Sequence, residues 1–229
     1  MKETNETVII SLGGSLIIPE EIDLQFLKDF KTLILSQVAK GKKFVIVTGG
    51  WKICRKYQNA AKELGNPSNE DLDWIGIASL KLNAELLRVI FCEQAHDRVI
   101  SNLSTHFSFE RPIVIGSAYE PGQSTDWDAV LGAKNVGAKK IINLSNIDYA
   151  YDKDPNKFKD AKKIERISWL DYRALIPKEW NPGLSTPFDP IASKMAQEAD
   201  IEVAILNGKN IANLGMCLNG ENFIGTHIK

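Results

Sequence analysis

Val8-Ile9-Ile10-Ser11-Leu12-Gly13-Gly14-Ser15 is a short apolar run that stops at two glycines and a hydroxyl. Its apolar residues do not alternate with polar ones, which is the pattern of a strand buried on both faces. The pattern returns at Phe44-Val45-Ile46-Val47, which stops at Thr48-Gly49-Gly50 before Trp51-Lys52-Ile53-Cys54-Arg55-Lys56-Tyr57 turns helical. Between the two runs, a helix is predicted from Asp23. It carries Leu24, Leu27, Phe30, Ile34 and Val38 at spacings of three and four, and Gly41 stops it. Strand, helix, strand in this order makes a parallel pair with a crossover, and such sheets hold ligands beyond the carboxyl ends of their strands. Both glycine pairs fall there.

The rest of the chain extends the pattern. A long helix is predicted over 71–93, with Trp74, Ile77, Leu80, Ala84, Leu87 and Phe91 as its apolar stripe. Asp73, Gly76 and Asn83 lie near one line on another face. They present either a carboxylate and an amide to a ligand, or an ordinary polar face with a glycine at a helix crossing. Arg98-Val99-Ile100-Ser101 and Pro112-Ile113-Val114-Ile115-Gly116 read as further strands. The second leads into Pro121-Gly122-Gln123-Ser124-Thr125-Asp126, which opens a helix running to Val136. Hydroxyls and a carboxylate at a helix start suit either a cap or a phosphate held by the first-turn N–H groups.

Lys139-Lys140-Ile141-Ile142-Asn143-Leu144 reads as a strand ending at Ser145-Asn146-Ile147-Asp148, and 149–161 as a long polar surface loop. A short helix over 168–175 and a Pro-rich turn, Pro182-Gly183-Leu184-Ser185-Thr186-Pro187, follow. Next come a helix opening at Asp189-Pro190-Ile191-Ala192-Ser193-Lys194, the strand Ile201-Glu202-Val203-Ala204-Ile205-Leu206, and a last strand at Gly225-Thr226-His227-Ile228. The expected fold is a three-layer α/β/α sandwich with a mostly parallel central sheet. One domain spans 1–229, with lobes of about 1–136 and 137–229.

Composition narrows the function. The 229 residues are 44% apolar and 25% charged, with a net charge of −1, so no basic field points to nucleic acid or an anionic membrane. Cys54, Cys92 and Cys217 lie far apart and show neither metal spacing nor a disulfide framework, which fits a reduced, cytoplasmic setting. The first six residues are polar, and no apolar run approaches the roughly 18 residues of a membrane span. Neither the dinucleotide G-x-G-x-x-G nor the P-loop fingerprint occurs. His96, His106 and His227 sit away from every glycine loop.

Taken in order, Gly13-Gly14-Ser15, Gly49-Gly50-Trp51-Lys52, Asp73 with Ile75-Gly76-Ile77 and Asn83-Ala84, and Pro121-Gly122-Gln123-Ser124-Thr125-Asp126 resemble the amino acid kinase superfamily. Asn143-Leu144-Ser145-Asn146-Ile147-Asp148, Tyr151-Asp152-Lys153-Asp154-Pro155, Asp189-Pro190-Ile191-Ala192 and Gly225-Thr226 look like uridylate (UMP) kinases of archaeal type. The resemblance implies transfer of the γ-phosphoryl of ATP to UMP, Mg²⁺ accompanying the nucleotide, and a homohexamer. It places Gly14 and Ser15 at the transferred phosphate, and Trp51 and Arg55 where ATP is contacted. Gly50 falls beside UMP, Asp73 on its ribose, and Glu120, Pro121, Gly122, Gln123, Ser124, Thr125 and Asp126 in the loop that wraps it, with Thr125 near its phosphate. Ser145, Asn146, Tyr151 and Asp154 fall on the adenosine side.

Phosphoryl transfer asks for alignment and positive charge more than covalent help. The first glycine loop carries no Lys, so Lys52, Arg55 and Lys194 are the candidate catalytic cations; no residue is assigned to a resident metal. The chain departs from the family at Trp51, where a third Gly is usual, at Asp148-Tyr149-Ala150-Tyr151 in place of Asp-Gly-Val-Tyr, and at Trp127-Asp128. Two other readings share the fold. One is a non-catalytic nucleotide or oxoanion storage protein. The other is an enzyme with a different acceptor, although the His typical of isopentenyl phosphate acceptors is absent from 52–64.

Overall fold

The computed structural model describes residues 6–178 and 186–229; Pro182, Gly183, Leu184 and Ser185 of the Pro-rich turn and residues 1–5 lie outside the described residues. β1 (Thr7–Leu12) runs directly into α1 (Gly14–Ile17), a buried helical turn where the sequence suggests only a loop. α2 (Leu24–Val38) starts at its expected place, because the Asp23 carboxylate accepts from Phe26 N at 2.9 Å, and Gly41 follows at φ 91°. β2 (Lys43–Thr48) and α3 (Trp51–Leu64) come next. α4 (Asn69–Phe91) begins two residues before the predicted position, since Ser68 and Asp71 form a capping box.

β3 (Ile113–Gly116), α5 (Thr125–Val136) and β4 (Lys140–Ser145) continue the alternation. The expected surface loop over 149–161 is an exposed connection from 152 on, and its start belongs to a small hairpin of β5 (Ala150–Tyr151) and β6 (Lys163–Ile164). β7 (Arg166–Ile167), α6 (Trp169–Leu175), α7 (Pro190–Glu198), β8 (Glu202–Asn207), α8 (Ile211–Leu218) and β9 (Thr226–Ile228) complete the described chain. The strand expected at Arg98-Val99-Ile100-Ser101 does not form. Only Ile100 bridges to Gly116, at the open edge beyond β3, where nothing covers Arg98.

The seven-stranded sheet has the order β3-β2-β1-β4-β8-β9-β7. β3, β2, β1, β4 and β8 are parallel, and β9 is antiparallel to β8. From β1 the chain first builds outward through β2 and β3, then returns to place β4 on β1's other side. That reversal puts a ligand crevice at the carboxyl ends of β1 and β4. Alternate residues of each strand feed opposite core layers. Ile10 and Ile46 meet α2, α4 and α8 through Phe30, Leu87 and Leu214, while Ile9 and Val45 meet α5 and α7 through Ala133 and Ala196. No helix among the described residues is long and apolar enough to cross a membrane.

Ala84, Leu87 and Phe91 of the predicted α4 stripe are buried as expected, and the departures lie at its start and its edge. Trp74 is 49% exposed, Leu72 is buried instead, and Asn83, expected on another face, is 1% exposed. The burial of Asn83 has a polar cause at the end of β2. Asn83 Nδ2 donates to the Gly49 carbonyl at 2.8 Å, and Thr48 Oγ1 donates to the Leu80 carbonyl at 3.1 Å. Both bonds clamp α4 to the second glycine loop. Asn83→Ala leaves the Gly49 carbonyl without this donor. It should lower unfolding free energy by about 1–3 kcal/mol, read as a lower urea midpoint at unchanged slope.

Candidate active site

The two glycine loops touch each other backbone to backbone. A Cβ on Gly14 would lie 2.5 Å from the Gly49 carbonyl oxygen, and one on Gly49 would lie 2.8 Å from Gly14 N. Gly49 N donates to the Leu12 carbonyl at 2.9 Å, and Gly13 N donates to the Leu144 carbonyl at 2.8 Å. The ends of β1, β2 and β4 are thereby fused into one floor, with Ser15 buried beneath it. Gly50 is similarly confined, since a Cβ there would meet Ser79 Oγ at 2.8 Å. Beyond Gly50, α3 opens with first-turn N–H groups that no helical carbonyl can satisfy.

The 120–126 turn stands beside this floor. Asp73 Oδ2 accepts from Gly122 N at 2.8 Å, so a carboxylate on α4 reaches across to the turn. Gly122 takes φ 83°, which favours glycine. Ser124 is the cap of α5, accepting from Trp127 N at 3.3 Å, and Thr125 is the first helical residue. Within 121–126 the capping role thus falls to Ser124. The Tyr119 hydroxyl is raised in pKa first by burial and then by Glu120 beside it, just before Pro121. Gln123 Oε1 and Asp189 Oδ2 are buried without a partner among the described residues, and their side chains line a cavity of about 120 Å³ with Ser124 and Trp127.

Asp126 ties the site together. Its Oδ1 accepts from Ser11 Oγ at 3.0 Å and from Asn143 Nδ2 at 3.4 Å, and its Oδ2 accepts from Asp189 N at 3.1 Å. One carboxylate therefore joins β1, β4, α5 and the start of α7. Burial, followed by the charge of Asp189, pushes its pKa up to about 7. Asp128 is 2% exposed with Oδ2 unpartnered, and burial, followed by the charge of Asp126, raises it to about 8. Asp189 is raised by burial against the opposing pull of Ala192 N, which it caps at 2.7 Å.

The candidate cations take three different positions. Lys52 pairs with Glu20, and Lys194 lies exposed 3.9 Å from Glu198. Arg55 places its guanidinium carbon 4.7 Å from the centre of the Trp51 ring. On the far side of the floor, Ser145 ends β4 and accepts from Ile147 N at 3.4 Å, with exposed Asn146 beside it. Tyr151 lies in β5, and Asp154 Oδ1 accepts from Asn156 N at 2.9 Å. Lys163 sits 4.8 Å over the Tyr149 ring. Sequence reading did not single out Ser11 or Asn143 as site residues, and the amide it offered to a ligand, that of Asn83, is taken up by the Gly49 carbonyl. The available signal was a polar residue inside an otherwise buried run, which must find a partner.

The profile of the amino acid kinase family matches residues 6–207. A uridylate kinase of Methanobrevibacter smithii is 32% identical over 224 residues, which cover 96% of this chain and 98% of that protein. One from Thermoplasma volcanium is 32% identical over 228 residues, 98% of each. The crystal structure of uridylate kinase from Archaeoglobus fulgidus superposes with a TM-score of 0.81 at 31% identity, covering 97% of this chain and 99% of that one.

The acid cluster makes stability depend on pH. The raised pKa of Asp128 means that the folded chain keeps a proton the unfolded chain has released, so its contribution to stability falls as pH rises from about 4 to about 8. Asp128→Asn removes that dependence. Its denaturant midpoint relative to the parent should rise at pH 8.5, and the gain should shrink toward zero near pH 4. An equal shift at both pH values would show that Asp128 does not titrate in the folded state.

Proposed function

The chain belongs to the amino acid kinase family, and we propose that within it the chain acts as a uridylate kinase, transferring the γ-phosphoryl of ATP to UMP to give UDP. The observation that carries the reading is the bond from Gly122 N to Asp73, which sets a carboxylate and the 120–126 turn over the fused glycine floor. With Oδ2 so engaged, Asp73 keeps Oδ1 for the ribose hydroxyls of UMP. Thr125 and the first turn of α5 receive its phosphate. Gly50 closes the UMP side, and Glu120, Pro121, Gln123, Ser124 and Asp126 shape the turn around it.

ATP lies across Gly14 and Ser15, with Trp51 and Arg55 beside its phosphates and Ser145, Asn146, Tyr151 and Asp154 around its adenosine. A phosphate monoester has a second pKa of about 6, so the attacking oxygen of UMP needs no base at neutral pH. The work left for the chain is alignment and charge. Arg55, Lys52 on release from Glu20, and Lys194 supply positive charge to the transferring group. Mg²⁺ suits this donor set as a nucleotide-borne ion. No group of three or more ligating side chains occurs among the described residues, while Asp189 Oδ2 is left for such an ion to take. When bound, it would neutralise phosphate charge.

The acceptor lobe runs over about 1–136 and the nucleotide lobe over 137–229, with β1 and β4 meeting between them. Exposed apolar side chains along α3 and α4, namely Tyr57, Trp74, Leu82 and Val89, support a homo-oligomer, a hexamer by family resemblance. The three unpaired cysteines support a cytoplasmic setting.

A coupled assay with ATP, Mg²⁺ and each nucleoside monophosphate should give the highest turnover with UMP. Equal or faster CMP turnover, or tight nucleotide binding with no transfer at all, would sink the reading. Asp73→Asn should raise KM for UMP by about 10-fold or more while leaving KM for ATP nearly unchanged, because it weakens a charged hydrogen bond to the acceptor alone. Lys52→Ala should mainly lower kcat; a kcat equal to the parent's removes Lys52 from the transfer step.

A further inference from the structure

Trp51 takes φ 48°, in the left-handed region that a bulky side chain occupies only when its surroundings compel it. It is the first residue of α3, capped by Gly50, and its Cβ stands where a Cβ on Gly14 would approach it to 3.0 Å. The strained residue therefore stands directly on the first glycine loop. One helical turn later comes Arg55. Side chains of a helix lean toward its N-terminus, so residues four apart meet, and here the Arg55 guanidinium carbon lies 4.7 Å from the centre of the Trp51 ring. The stack draws an exposed, flexible cation back over the N-terminal end of α3.

The manner of holding matters. A carboxylate partner occupies the edge of a guanidinium, where its N–H donors are, whereas an aromatic ring occupies its flat face and leaves that edge free. Lys52 is held by Glu20, Lys194 lies near Glu198, and the first loop carries no lysine. We propose that Trp51 is a positioning residue. By stacking on Arg55 it holds the guanidinium beside the fused glycine loops with its donor edge turned to the phosphate oxygens of the substrates, standing in for a fixed loop cation. This rests on the kinase reading for the identity of the phosphates, although not for the stack.

Two readouts separate the possibilities. In the kinase assay, Trp51→Gly should lower kcat/KM about 5-fold, the scale of a partly exposed cation–π contact. Trp51→Phe should retain more than half of the parent value. Combined with Arg55→Ala, Trp51→Gly should change activity by less than about 2-fold, since the partner is already gone. Calorimetric titration with ATP alone, without UMP, should show the same coupling in Kd. Glycine also relieves the backbone, so the thermal midpoint of Trp51→Gly should not fall. Equal losses from Trp51→Gly with and without Arg55, in activity and in ATP affinity, overturn the proposal and leave Trp51 as packing. If the parent binds ATP with the expected coupling yet transfers nothing to UMP, the acceptor reading fails while the positioning role stands.

Discussion

Two backbone loops can close to contact distance only where neither carries a side chain, and the meeting of Gly14 with Gly49 is such a place. Everything at the carboxyl end of the sheet is built from it. The loops end β1 and β2, the next strand in the sheet is bonded to the first loop through Gly13 N, and α4 is clamped to the second through Asn83. With the floor set, the 120–126 turn is held on one side through Asp73, and the end of β4 carries Ser145 with Asn146 next to it on the other. The shape of this rim thus follows from one steric constraint and the order of strands around it.

The electrostatics follow from burial. Three carboxyl groups, Asp126, Asp128 and Asp189, gather at the starts of α5 and α7, and three full charges there would repel one another. Withdrawal from water raises the pKa of each, Asp126 and Asp128 to about 7 and 8. At neutral pH the cluster therefore carries less negative charge than its composition suggests. It serves instead as a hydrogen-bonding brace across β1, β4, α5 and α7.

Much of this was legible in the residues. Continuous apolar runs ending in glycine pairs identify β1 and β2, Asp23 and Gly41 bound α2, and Asp189-Pro190 opens α7, because in each case the deciding contact is local. The failures share the opposite property. β5, β6 and β7 have two residues each and exist only through their partners, and the run at Arg98 pairs with the edge strand through Ile100 alone. Ser11 finds Asp126 115 residues away, and Lys52 finds Glu20 32 residues away, so no spacing rule reveals either pair. The sequence leaves Asn83 open between a ligand-facing amide and an ordinary polar face for the same reason, since its partner, the Gly49 carbonyl, lies on another element. Trp51 shows the limit most plainly. An aromatic residue in a glycine's place suggests lost conformational freedom, yet the chain keeps the positive φ and carries the indole there as well.

The fused floor also has a thermodynamic reading. Loops that bind ligands are usually among the least stable parts of a fold, and ordering them detracts from affinity. Here the glycine loops are the last rungs of the sheet itself, held by the bonds from Gly49 N to Leu12 and from Gly13 N to Leu144. Their conformational entropy is surrendered when the chain folds. Substrate arrival then has little left to order except the turn that hangs from Asp73.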